Sequence, residues 1–263
     1  MGFGTTAIKK ADTRRELVFQ PHDYHLDQFL EVAARFGSER FGYVATPNVD
    51  GLIRLRESES FRLAYEGAAY VLLDSRVASL AYRFRHRLQI PVCSGSDLTA
   101  ALFEKIIKPE DRIVLIGSSE EQANLLREQS GLKFLMHHNP PMGFIRDEAA
   151  VERCLEFVEK SSPFRFCLIA VGDPQGSLLA HHLAVRGRAR GLAFIIGASI
   201  DFITGRQKRA PLWMQRATLE WLYRLLSNPR RLAPRYLLRG PRFFLHLPWS
   251  RVVLRPAVGP DQQ

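Results

Sequence analysis

The stretch RFCLIAVG (165–172), matched later by LAFIIGAS (192–199), decides the fold class. Each run is apolar at odd and even positions alike. A strand with one wet face alternates apolar and polar residues, so a strand that is apolar throughout has both faces covered. Working outward, four more runs read as strands: FGYVATP (41–47), AYVLLD (69–74), RIVLIG (112–117) and KFLMHH (133–138). The segments at about 50–66, 75–89, 96–107, 119–130, 147–160 and 175–187 carry longer amphipathic patterns and read as helices. Strand and helix alternate, which predicts an α/β fold with a mostly parallel sheet and helices on both faces. No internal repeat or low-complexity linker interrupts the rhythm, and residues 1–20 read as irregular.

In such sheets a ligand sits outside the carboxyl ends of the strands. The residues that follow each strand are small or polar: Thr46-Pro47-Asn48, Asp74-Ser75-Arg76, Gly117-Ser118-Ser119, Gly172-Asp173-Pro174-Gln175-Gly176, and Gly197-Ala198-Ser199 with Asp201 beyond. A nucleotide-sized ligand needs such a rim. Asp74 closes an apolar strand, where a carboxylate can have a raised pKa and act as a general base. On sequence alone, capping the helix that starts near Ser75 is the favoured role. Asp97 and Asp50 also read first as helix caps. The Gly117 turn offers backbone amides at a helix N-terminus, a natural phosphate site. It matches no GxGxxG or GxxxxGK[ST] pattern, so a plain strand-to-helix turn is the safer reading.

Several chemistries find no support. The pairs His137-His138 and His181-His182 are sequence neighbours, which point apart on a strand and lie about 100° apart on a helix. No HExxH, CxxC or carboxylate cluster suggests a metal, and no GxSxG elbow suggests a hydrolase nucleophile. The three cysteines, Cys93, Cys154 and Cys167, fit no disulfide framework and suggest a reducing compartment. The N-terminus lacks a basic-then-apolar signal pattern, and no run approaches the roughly 18 apolar residues of a spanning helix.

Charge singles out the C-terminal end. The chain of 263 residues has a formal net charge of +10. Residues 1–205 carry 25 basic and 25 acidic residues, whereas residues 206–263 carry 12 basic residues against Glu220 and Asp261. The excess lies in one segment, which calls for an anionic partner there: nucleic acid, lipid headgroups or a diphosphate. That segment contains EWLYRLLSNPRRLAPRYLLRGPRFF (220–244). A helix over about 212–226 would put Met214, Ala217, Trp221, Leu222 and Leu225 on an apolar stripe, with Arg216, Glu220 and Arg224 on another face. Asn228-Pro229 reads as the start of a further helix. Arg231, Arg235 and Arg239 share a face of it, and Pro234 restarts or kinks it. The pattern fits an interfacial element and equally an RNA-binding one.

The order of motifs resembles the WecG/TagA/CpsF family of bacterial glycosyltransferases over about residues 41–244. The likeness rests on ATPNVDGLIRLRES, VLLDSR, CSGSDLTAALF, IVLIGSSEEQ, VGDPQGSLLAHH and, most specifically, ASIDFITGRQKRAPLWMQRATLEWLYRLLSNPRRLAPRYL. The resemblance implies a Rossmann-like core (1–205) and a basic, membrane-proximal helical appendage (206–263) that closes over the site. It implies an inverting transfer, without metal or other cofactor, from a UDP-sugar to a polyprenyl-diphosphate-linked acceptor at the cytoplasmic face of the inner membrane. Such products feed exopolysaccharides, capsules and teichoic acids. Residue by residue, it makes Asp74 the general base and puts Thr46 and Asn48 beside the acceptor hydroxyl and donor sugar. Asp201 falls near the nucleotide base and Gln175 on the donor side; the Gly117 turn stays a donor-side candidate from its backbone amides alone. Arg216, Arg224, Arg230, Arg231 and Arg235 fall on the donor diphosphate. Two departures stand out: the family's PDG-like turn is LDS here, and its Gln-Glu pair after the fifth strand is replaced by Gly176-Ser177. Gln175 could supply the lost amide. The second departure motivates an alternative, a non-catalytic nucleotide-sugar-binding member of an assembly complex. A third reading, RNA binding by the tail, is disfavoured by the uncharged core. Oligomeric state, a homo-oligomer included, stays open.

Overall fold

The computed structural model describes residues 17–211, 213–214 and 217–257. Its centre is a six-stranded sheet of β2 (Phe41–Ala45), β3 (Tyr70–Val71), β4 (Arg112–Ile116), β5 (Phe134–His138), β6 (Phe166–Ile169) and β7 (Gly191–Ile195). The order across the sheet is β3-β2-β7-β6-β4-β5, and every pair is parallel. All six expected strands are present. Their apolar runs divide by parity, as two covered faces require. Tyr43, Ala45, Val114, Ile116, Cys167, Ile169, Ala193 and Ile195 enter one core. Val44, Ile113, Leu115, Phe166, Leu168, Leu192 and Phe194 enter the other.

The helices are α1 (Leu26–Arg35), α2 (Val49–Glu57), α3 (Glu59–Glu66), α4 (Arg76–His86), α5 (Gly95–Ala101), α6 (Glu120–Ser130), α7 (Glu148–Lys160), α8 (Gln175–Arg186) and α9 (Ser199–Ile203). The segment expected as one helix over 50–66 is two. Ser58 is extended (φ −132°, ψ 116°) and its hydroxyl accepts from the Phe61 amide, capping α3. The helices divide between the two sheet faces: α2, α3, α4, α7 and α8 contribute to the Tyr43 side, α1, α5 and α6 to the Val44 side.

The C-terminal region departs from expectation in two places. The continuous helix over 212–226 does not form, because Thr218 is left-handed (φ 63°) and α10 begins only at Glu220 (Glu220–Ser227). Thr is β-branched and adopts that conformation only at a local cost. Then α11 (Pro229–Ala233) runs into a wide, π-type stretch from Pro234 to Arg239 before α12 (Gly240–His246). Pro234 has no amide hydrogen and its ring crowds the preceding turn, so the backbone widens there instead of stopping. The chain then returns to the N-terminal region: β8 (Ser250–Val252) pairs in parallel with β1 (Leu17–Phe19). Residues 17–19 are therefore a strand, not irregular.

Two sets of contacts hold this region on α2 and α4. Phe243 is buried and meets the Tyr82 ring edge-on at 5.8 Å. Arg239 bridges Asp50 and Glu57 on α2, each at 3.0 Å, and Arg242 lies 3.3 Å from Glu57. The apolar contact should dominate, since ion pairs near the surface add little. Phe243→Ala is expected to lower stability by about 3–5 kcal/mol, read by chemical denaturation. Limited proteolysis should then cut first within residues 220–250.

Candidate active site

The rim residues converge at the carboxyl ends of β2, β3 and β7. Thr46 follows β2, and its hydroxyl donates to the Ile195 carbonyl at the end of β7, 3.2 Å away. The Asp74 amide donates to the Pro47 carbonyl at 2.9 Å, which ties the β3 exit to the β2 exit. Gly95 lies between them. A Cβ placed on it would stand 3.3 Å from Thr46 Oγ1, 3.7 Å from Asp74 Oδ2 and 3.8 Å from Ser199 Oγ. Thr46, Asp74 and Ser199 thus surround one point.

The helix caps are assigned elsewhere than the sequence suggested, which leaves Asp74 without a capping role, while Asp50 pairs with Arg54 and Arg239 and Asp97 with Arg209. Ser75, not Asp74, caps α4 by accepting from the Ala78 amide. Ser94, not Asp97, caps α5. Asn48, not Asp50, caps α2, its Oδ1 accepting from the Asp50 and Gly51 amides at 3.1 and 3.2 Å. Asn48 therefore keeps only its amide NH2 for a substrate.

Asp74 is half-buried, and burial pushes its carboxyl up to about 7. Arg224 and the Gly95 amide pull it down, while Glu220 and Asp97 push it up. Arg224 and Glu220 lie one turn apart on α10 and form an ion pair. Burial works against the Arg224 cation, but the Glu220 and Asp74 carboxylates outweigh it and leave it above its usual range. Its guanidinium also lies over the Phe202 ring, 5.3 Å from the centroid. Tyr236, from the wide stretch, feels Arg235, Arg224, Glu220 and Asp74. The C-terminal region thus presents charges to the strand-end carboxylate. Glu220→Gln removes one of the groups that raise Asp74, so the pH at which Asp74 ionises should fall, with the acidic limb of the rate profile moving to lower pH.

The other sequence-picked residues are distributed as follows. The Gly117 amide donates to the His138 carbonyl at 2.8 Å and the Ser119 amide to Gln122 Oε1 at 3.2 Å, so neither is open to a phosphate. Gly117 itself (φ 90°) is required there, since a Cβ would press the Ala170 carbonyl at 3.1 Å. Asp201 receives a hydrogen bond from Gln122 Nε2. Gln175 opens α8 and is half-buried. Arg230 is exposed, and Arg235 lies 3.9 Å from Asp50 rather than at Asp74. Arg216 and the Arg231 side chain lie outside the described residues. A Cβ at Gly176 would meet the Val171 carbonyl at 3.0 Å and Ile195 at 3.1 Å, so the backbone here is fitted to glycine.

Two further contributors emerge: Tyr65, not singled out in the sequence, and Asp173, named there only as part of the strand-end rim. The Tyr65 phenol is buried, has no hydrogen-bond partner among the described residues, and feels Asp173 and Asp74. Asp173 accepts from the Ser177 hydroxyl at 2.6 Å and its amide at 3.3 Å, and has Arg54 and Arg235 nearby. Nothing in the periodicity around Tyr65 distinguishes it from core. Among the described residues, no group of three or more His, Cys, Asp or Glu gathers as a metal site. A cavity of about 290 Å³ lined by His22, Tyr24, Phe36, Arg40 and Tyr70 opens at the opposite, amino end of β2 and β3 and holds none of these residues.

Two solved structures are similar to this chain. One, described as "The highly conserved domain of unknown function 1792 has a distinct glycosyltransferase fold", has a TM-score of 0.43 and 12% identity, covering 79% of this chain and 84% of that one. The other, a selenomethionine-substituted structure of domain of unknown function 1792, has a TM-score of 0.39 and 13% identity, covering 67% and 86%. Neither likeness adds to the assignment. The sequence model of the glycosyl transferase WecG/TagA/CpsF family matches residues 17–256, through all six sheet strands, Asp74 and the Arg224 helix, and the chain belongs to that family of glycosyltransferases.

Proposed function

We propose that this glycosyltransferase moves a sugar from a UDP-sugar to a polyprenyl-diphosphate-linked acceptor, with inversion and without a metal, in cell-surface polysaccharide synthesis. The observation that carries the reading is Asp74, with a pKa of about 7 at the strand ends and the Arg224 guanidinium acting on it from the C-terminal region. Asp74 accepts the proton of the acceptor hydroxyl. That oxygen bonds to the anomeric carbon as the bond from this carbon to the diphosphate oxygen breaks. The leaving UDP takes the bonding pair, and its growing negative charge is met by arginine. A charge-assisted, two-pronged Arg–phosphate contact suits this task. In this reading Thr46 and Asn48 serve the acceptor hydroxyl and donor sugar, and Asp201 serves the nucleobase.

The membrane part of the proposal is supported by the surface of the same region. Trp213, Leu238, Leu245 and Trp249 are each more than half exposed, and Arg230 and Arg251 of the same C-terminal segment are exposed too. Aromatic, aliphatic and arginine side chains together suit an anionic lipid surface. Among the described residues no helix is long and apolar enough to cross a membrane, so contact would be peripheral.

The test is UDP release from a panel of UDP-sugars given a short polyprenyl-diphosphate acceptor. Release with one donor, together with an inverted product linkage, is the expected result. No release across the panel with UDP binding kept would overturn the catalytic reading and favour a binding-only member, which the glycine-fitted backbone at 176 would then explain.

A further inference from the structure

We infer that Gln122 is a positioning residue that fixes Asp201 as a single-acceptor contact for the donor nucleobase, and so helps select uracil over guanine. The inference rests on the nucleotide-sugar reading above. Gln122 sits in the first turn of α6 and is 5% exposed. Its Oε1 accepts from the Ser119 amide at 3.2 Å, which closes a capping box, and from Arg206 Nη1 at 3.2 Å. Both partners are pure donors. The amide orientation is thereby fixed by chemistry, and Nε2 must be the group that donates to Asp201 Oδ1.

This arrangement joins three elements through the Gln122 amide. Ser119 and Gln122 come from the β4 exit, Asp201 from α9, and Arg206 from the turn after it. One Asp201 oxygen is engaged by Gln122, and among the described residues no hydrogen bond reaches the other, so it is the one offered to a ligand. Guanine presents two adjacent donors on its Watson–Crick edge and is best gripped by both oxygens of a carboxylate. Uracil presents one imide N–H between two carbonyls. A single acceptor oxygen with a neighbouring guanidinium complements the uracil pattern. The cost of leaving buried polar groups mismatched is what makes such sites selective.

The experiment measures UDP and GDP binding to the full chain by titration calorimetry for wild type, Q122E, D201N, the Q122E/D201N double variant and Q122A. The Q122E carboxylate keeps the capping acceptor for Ser119 but offers no donor to Asp201. Q122E should therefore remain folded, by circular dichroism, and lose about tenfold or more in UDP affinity. D201N should lose a similar amount, because Gln122 can then hold the carbonyl of the introduced amide and turn its NH2 toward the ligand. In the double variant the introduced amide donates to the introduced carboxylate and again offers one acceptor oxygen to the base. Its UDP affinity should recover above either single variant, which a merely structural role would not produce. In Q122A the preference for UDP over GDP should narrow. Wild-type UDP affinity in Q122E, a double variant as weak as the singles combined, or an unchanged UDP-to-GDP ratio in Q122A would each overturn the inference while leaving the nucleotide-sugar reading intact. A wild-type chain that binds neither nucleotide would overturn both.

Discussion

Asp74→Asn is expected to lower glycosyl transfer by about 10²–10⁴-fold, the usual contribution of a positioned general base, with UDP binding largely kept. In the unaltered protein, kcat/KM should rise with pH and level off above about 7, where the Asp74 carboxyl is ionised in the free enzyme. The stability effect has the opposite sign and separates the two roles of the residue. The folded-state pKa of Asp74 is raised above its unfolded value. Its contribution to stability is present at low pH and is lost as pH rises through about 7. Asparagine carries no charge to bury, so the variant should unfold at a higher temperature than wild type at pH 8 and show little difference at pH 4. A variant with near-normal turnover would remove Asp74 as the base. Lower activity accompanied by lower stability at pH 8 would show that asparagine disturbs the strand ends instead.

What the chain disclosed about itself follows from the range of the interactions. The sheet was legible because burial on both faces writes itself into every position of a run such as CLIAV, and the helices between were legible by period. Asp74 was reachable as a residue at a strand end, but its role was not. Whether it caps α4 depends on which side chain takes the Ala78 amide, and Ser75 takes it; three serine and asparagine caps shifted by one to three residues from the carboxylates first favoured. The break at Thr218 overrides an apolar stripe that reads well on a helical wheel, since local periodicity carries no record of where the chain must turn to reach the core. Tyr65 and Gln122 were invisible for a simpler reason. Their partners lie on other elements: Tyr65 feels Asp173 beyond β6, and Gln122 holds Asp201, 79 positions further along the chain. The capping-box spacing of Ser119 and Gln122 was the one local signal for the second.

Arg224→Ala should lower kcat by about 10²–10³-fold, the loss found when one preorganised donor to developing negative charge is removed. The arginines of this region are not equivalent. Arg239 is held by Asp50 and Glu57, Arg235 is near Asp50, and Arg230 is exposed. Arg224 alone among these four is coupled to Asp74, and its ion-pair partner, Glu220, is itself near the site. A donor diphosphate approaching Asp74 would meet Arg224 and compete with Glu220 for it. Lysine at 224 keeps the charge but not the fork that grips two phosphate oxygens, so it should recover only part of the rate. The pH profile then tests whether charge or packing is responsible. Arg224 pulls the Asp74 pKa down and Glu220 pushes it up. Loss of Arg224 should therefore move the acidic limb of kcat/KM to higher pH, and loss of Glu220 should move it to lower pH. Two substitutions one helical turn apart with opposite shifts cannot both arise from a loosened α10, which would move Asp74 toward solvent and its pKa in one direction only. Shifts of the same sign would assign the lost rate to docking of the helix rather than to the charge of Arg224.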